Sequence, residues 1–259
     1  MLSDGRDIDD ILDEWPYDSD LLSARLVQAC DGRQVIQLRI ELGLVQMEIE
    51  GRPDGATPGG EPTYLDFLLR HKQELSKGEA HLTEEQCLEI VREFAQYYQR
   101  RACWLVLEEY TQVIHDANHS IRLIDFAHQH GPEGRWLEEL LQQRCTTIAH
   151  KILAIAMKEL ELNGPEAAMT EIDRVFEKHN NQLLNQQGVT ESELDCFLQK
   201  LFEIKCQVQD KSADFLTLED RLAQAISREK YELAATIRDK LADTPQRDST
   251  RDNTPKKAA

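Results

Sequence analysis

The chain has 259 residues and a mass of 29.8 kDa, with 30 Lys and Arg against 48 Asp and Glu and a formal net charge of −18. Its length supports one large domain or two small ones with a real core, and its charge argues against a direct, sequence-independent grip on nucleic acid, which Lys and Arg would supply. No apolar run, residues 104–107 and 152–157 being typical, approaches the roughly 18 residues of a membrane helix, so a soluble protein is expected.

Residues 1–20 hold eight acids (Asp4, Asp7, Asp9, Asp10, Asp13, Glu14, Asp18 and Asp20) against Arg6, a local charge of −7. Such a run reads as a solvated, disordered segment. It has neither the basic nor the apolar region of a secretory signal, and a cytoplasmic protein is expected. Residues 21–62 read as a small β unit. Asp31-Gly32 marks a hairpin turn, and Ile36, Leu38, Ile40 and Leu42 then alternate with Gln37, Arg39 and Glu41. After Gly43 the apolar phase moves to Val45, Met47 and Ile49, which a bulge or a turn at Gly43 would produce. Residues 51–62, GRPDGATPGGEP, carry four glycines and three prolines and read as an exposed loop closing the unit.

From 63 to 209 the pattern is an α-helical body. Thr83 with Gln86 forms a capping box ahead of an amphipathic stretch reaching Leu107. The next helix runs from about 110 to 130 and stops at Gly131-Pro132; another covers about 136–160 and stops at Asn163-Gly164-Pro165. Pro165 is placed to open a fourth, ending before Gly188. Thr190 with Glu193 opens a fifth reaching about Val208. Short turns between long helices predict antiparallel neighbours. Residues 102–117 and 154–169 each put a helix end, a tight turn and a new helix at similar spacing. That spacing resembles the helical hairpin of tetratricopeptide repeats, without their Trp and Gly positions; a plain helical bundle is the alternative.

Residues 218–243 read LEDRLAQAISREKYELAATIRDKLAD. Leu218, Leu222, Ala225 and Ile226 form one apolar stripe, and Leu233, Ile237 and Leu241 another after the polar break 227–230. Two short helices folding back on each other are predicted, in a hairpin unit spanning 212–243. Ala234 and Ala235 are small enough for close helix approach, and Tyr231 offers an apolar body with a polar tip. Arg238 and Asp239 point about 100° apart on a helix and are expected to find partners elsewhere. In the order Leu218, Leu222, Ala225, Tyr231-Glu232, Ala234-Ala235, Arg238-Asp239 and Leu241, with Ile237 where Leu is commoner, the segment resembles the UVR motif. That hairpin occurs in two proteins of the excinuclease complex and in some Clp-type ATPases and kinase adaptors. It covers about a tenth of the chain.

The resemblance implies a bacterial, non-enzymatic adaptor that docks a protein partner, an excinuclease or Clp-type protein or a second copy of itself, with no cofactor. The partner-facing residues would be Leu222, Tyr231, Glu232, Ala234, Ala235, Arg238 and Asp239. The ATP-binding excinuclease protein would need the phosphate-cradling run GxxxxGK[ST], and the kinase adaptors paired CxxC units; the sequence has neither. An accessory role in nucleotide excision repair is an alternative function. A metal-dependent hydrolase is another, because His115 and His119 stand at the i, i+4 spacing of HExxH enzymes, though Asp116 takes the place of the catalytic Glu.

The six cysteines come no closer than ten positions, which excludes a thiolate zinc ribbon and favours reduced, buried side chains. No EF-hand, GxSxG or GxGxxG pattern occurs. The charge is unevenly spread. Residues 218–243 have six acids against five bases, and 244–259, read as a disordered tail, four bases against two acids.

Overall fold

A computed structural model describes residues 8–71, 82–184, 191–213, 218–227 and 229–243. The chain is mainly helical, with a three-stranded antiparallel sheet near its N-terminus. A short helix, α1 (Asp9–Glu14), precedes β1 (Ser23–Gln28), β2 (Gln34–Ile40) and β3 (Gly43–Glu48). After a single 3-10 turn come α2 (Tyr64–Arg70), α3 (Glu84–Val106), α4 (Tyr110–His130), α5 (Arg135–Asn163), α6 (Pro165–Leu184), α7 (Glu191–Ala213), α8 (Leu218–Ser227) and α9 (Tyr231–Asp243). The predicted tail at 244–259 lies outside the described residues.

The sheet is a meander in which Ile36 faces Leu26 and Met47, and Leu38 faces Ala24 and Val45. Residues directly opposite share a face, so one side carries Ile36, Leu38 and Met47 into the core beside Trp104 of α3. The phase change at Gly43 is a two-residue turn: Ile40 pairs with Gly43, and Leu42 sits on the hairpin tip, 90% exposed. Period two alone places Leu42 inside a strand; the strand ends at Ile40, which leaves Leu42 in solvent instead. The outer face is covered too. Arg25 lies 4.3 Å from the Trp15 ring centroid, Trp15 donates to Ser23 Oγ at 2.7 Å, and Arg39 donates to the Trp15 carbonyl at 2.8 Å. Part of the stretch expected to be disordered therefore forms α1 and is fastened to the sheet through Trp15.

The helices follow the punctuation. Thr83 and Gln86 make both bonds of the capping box at the start of α3. α3 packs on α4, α4 on α5 and α5 on α6 and α7, so the 29-residue α5 is the central helix. Its second half, with α6, α7 and the sheet, forms one core around Ile148, Ile152, Phe197 and Val208. A second core joins α2 to the other ends of α3, α4 and α5 around Leu65, Ile90, Leu123 and Ile124. Gly131 is where α4 must stop: a Cβ there would lie 2.6 Å from the Ala127 carbonyl oxygen and 2.7 Å from the Trp136 ring. A backbone oxygen cannot be moved aside cheaply. Gly131→Ala is expected to destabilise the fold by about 1–3 kcal/mol in urea denaturation; an unchanged midpoint would mean that the turn has room to spare.

Loop 51–62 is exposed over most of its length, as its composition predicts, but it is anchored at the buried Arg52 and Pro53. Arg52 is only 4% exposed; it pairs with Glu89 at 3.0 Å and Asp54 at 3.1 Å and donates to Gln96 at 3.3 Å. Tyr97 donates to the Gly51 carbonyl at 2.9 Å, and Arg100 to the Glu48 and Gly51 carbonyls, each at 2.9 Å. Glu89, Glu93, Gln96, Tyr97 and Arg100 recur at helical spacing, so α3 presents a polar stripe on which loop and sheet rest.

The cysteines depart in part from the expectation of burial. Cys87 and Cys103 are buried, and burial pushes the Cys103 thiol up to about 12, but Cys30 is exposed. The side chain of Cys196 lies outside the described residues.

Candidate partner-docking hairpin

Residues 218–243 form the predicted helical hairpin, α8 and α9. Its turn closes in a Schellman pattern: the Lys230 N–H donates to the Ala225 carbonyl at 2.9 Å and the Glu229 N–H to the Ile226 carbonyl at 3.1 Å, with Glu229 at φ 57°. Its interior is small. Ala225, Ala234 and Ile237 are buried, with Leu222, Leu233 and Leu241 packed around them. Burying one Ile contributes about 1.5–3 kcal/mol and an Ala less, whereas ordering each residue costs about 1–2 kcal/mol before hydrogen bonding is counted. A hairpin of this size depends on a second surface.

Part of that surface is the chain's own body. α9 lies against the C-terminal end of α5, where Lys240 donates to the Leu162 carbonyl at 3.0 Å and also contacts Asn163 Oδ1. Lys230 donates to the Glu108 carbonyl at 3.2 Å, and its Nζ lies 5.9 Å from the Tyr110 ring centroid. Lys240 thus meets a carbonyl in the last turn of α5, the negative end of its dipole, and Lys230 the carbonyl of the turn between α3 and α4. Sequence reasoning missed both as anchors: the carbonyls they reach lie 122 and 78 positions away.

The residues expected at a partner separate into two groups. Leu222 and Ala234 are spent inside the hairpin, and Ala235 is half-buried. Tyr231 is 67% exposed, and Glu232, Arg238 and Asp239 are exposed as well. Tyr231, Ala235, Arg238 and Ala242 fall at i, i+4, i+7 and i+11, so they form one ridge on α9. Ile226, predicted in the apolar stripe, is 54% exposed, because two thin helices bury a stripe narrower than the one the sequence offers. The side chain of Leu218 lies outside the described residues. Arg238 and Asp239 pair with each other, against expectation, through Nε at 3.1 Å and Nη2 at 2.9 Å. The 100° rule concerns Cβ directions, and a long arginine can bend across it. In solvent such a pair is worth about 0–1 kcal/mol, so it can be exchanged for another partner.

Of the other sequence candidates, His119 belongs to the α3–α4 interface, whereas the His115 side chain is exposed. His119 is stacked on Tyr97 with centroids 3.9 Å apart, and its Nε2 bonds Glu93 Oε1 at 3.0 Å. The same carboxylate accepts from the Tyr64 and Leu65 N–H groups at 2.6 and 3.1 Å, which holds the start of α2. Asp116 accepts two hydrogen bonds from Arg100, at 2.9 and 2.8 Å. Burial alone would raise its carboxyl, but bonds from His115 and Arg100 outweigh burial and hold it below the usual range. Among the described residues no group of three or more His, Cys, Asp or Glu is placed to hold a metal ion.

No known family model, curated protein or solved structure matches the chain.

Proposed function

We propose that the chain is a cytoplasmic, non-enzymatic adaptor whose C-terminal UVR-like hairpin docks a protein partner. The observation that carries this reading is the ridge of Tyr231, Ala235, Arg238 and Ala242, which the fold leaves outside while α9 uses its other faces for the hairpin core and the body. Tyr and Arg are the residue types that dominate binding energy at protein interfaces, and the alanines between them let a second helix approach closely. The ridge presents an aromatic ring, a guanidinium and two methyl groups, a set suited to recognition.

Capture from native cells with the intact protein and with a Tyr231→Ala/Arg238→Ala variant tests the reading, the captured proteins being identified by mass spectrometry. Loss of two hot-spot side chains at about 2 kcal/mol each is expected to reduce recovery of a specific partner more than tenfold. Equal recovery by both proteins would overturn the reading. The identity of the partner decides among an excinuclease protein, a Clp-type protein and a second copy of this chain.

A further inference from the structure

Where the hairpin meets the body the structure leaves a cleft of about 660 Å³, with Glu109, Tyr110 and Leu162 on the body side and Glu229, Tyr231 and Glu232 on the hairpin side. Its volume falls in the range of ligand sites. Its walls carry net negative charge: five glutamates line it against two lysines, and α5 ends there with the Leu162 carbonyl turned to a lysine, while α4 and α9 begin there at Tyr110 and Tyr231. The chain itself shows what such a site accepts: the Lys230 ammonium is seated at its edge on the Glu108 carbonyl at 3.2 Å, over the Tyr110 ring, and the Lys240 ammonium on the Leu162 carbonyl at 3.0 Å.

The two turns that border the cleft are unusual in a related way. Among the described residues, Glu108 (φ 58°) and Glu229 (φ 57°) are the non-glycine positions in the left-handed region, and both line this cleft. Each ends a helix in the same double hydrogen-bond pattern, the first through Glu109 N–H to the Trp104 carbonyl at 3.0 Å and Glu108 N–H to the Leu105 carbonyl at 3.2 Å. Glycine is the residue that takes this conformation without strain. Glutamate at both positions keeps a carboxylate beside the cleft at some cost to the fold.

We infer that the cleft binds a basic peptide segment of the partner, with Lys or Arg side chains set against Glu109, Glu229 and Glu232 and over the Tyr231 ring. This rests on the docking reading: a partner helix held on the α9 ridge would have its flanking chain beside Tyr231, at the mouth of the cleft. Cation–π contact at Tyr231 and complementarity of charge would add specificity and a faster association rate.

The test is fluorescence anisotropy of a labelled (Gly-Lys-Arg)4 peptide with the full chain in 0.1 M salt. Saturable binding is expected, weakened tenfold or more by Glu109→Gln/Glu229→Gln. It should change less than twofold with Glu133→Gln/Glu138→Gln, which removes the same charge from exposed positions near the far end of α5. Equal weakening by both pairs would reduce the effect to overall charge and overturn the inference. Glu229→Gly gives a second reading free of any folding defect: its melting temperature is expected to stay or rise while peptide affinity falls, and unchanged affinity would count against the site. Complete displacement by spermidine at equal charge concentration would assign the cleft to a polyamine and overturn the peptide proposal. If the peptide does not bind but partner capture still depends on Tyr231 and Arg238, the cleft inference falls alone; if capture is insensitive to them too, the docking reading falls with it.

Discussion

Arg100→Met is expected to destabilise the protein by about 3–5 kcal/mol, a large share of the ~5–15 kcal/mol that holds a typical domain together. Arg100 is fully buried, and its loss leaves the Asp116 carboxylate, itself almost inaccessible, without its two strongest donors. The same guanidinium also ties the end of β3 and the following loop to α3 through the Glu48 and Gly51 carbonyls. A double variant separates these two tasks. Arg100→Met/Asp116→Leu removes both charges, and exchanging a buried pair for apolar side chains of similar size is often neutral. Most of the loss should return. What does not return measures the two bonds to backbone carbonyls, at about 1 kcal/mol each. Urea denaturation of the wild type and both variants makes the comparison; a single variant that loses less than about 1 kcal/mol would show that the pair is not a principal support of the α3–α4 interface.

Structure set by neighbours in sequence is legible in the chain, and structure set by distant residues is not. The capping box at Thr83 and Gln86 and the breaks at Gly131-Pro132 and Asn163-Gly164-Pro165 are local chemistry, and the helices begin and end on them. α7 runs on to Ala213, past the end expected near Val208, because no glycine or proline interrupts it there. In loop 51–62 composition foretells the exposure that most of the loop keeps, but not the anchor at Arg52, which is held by Glu89, 37 positions away. At the hairpin, the exposed ridge follows from helical periodicity alone. The lysine anchors and the cleft do not, since both depend on where the ends of α3 and α5 lie in space.

Below pH 6.5 the protein should lose stability through His150 before its carboxylates titrate. The imidazole sits beside Arg101, which is fully buried and donates to His150 Nδ1 at 3.3 Å, to Ser120 Oγ at 2.9 Å and to Thr147 Oγ1 at 3.4 Å. With Nδ1 accepting, the ring carries its one proton at Nε2. A second proton would abolish that acceptor and set two cations side by side. Burial, reinforced by the charges of Arg101 and Lys200, lowers the His150 pKa from 6.5 to about 4. The unfolded chain therefore binds a proton between those values that the folded chain refuses, and stability falls as pH falls through this window, by up to about 3 kcal/mol. Asp116, whose pKa is depressed, loses its contribution only at lower pH, from about 3.8 downward. His115 acts in the opposite sense, its pKa being raised by Asp116, but its side chain is 68% exposed and water screens it. His150→Gln keeps an acceptor for Arg101 and cannot be protonated. Urea denaturation at pH 7 and pH 4.5 should show the wild type losing roughly 2–3 kcal/mol more than this variant between the two; parallel losses would mean that Arg101 and His150 do not set the acid limit of the fold.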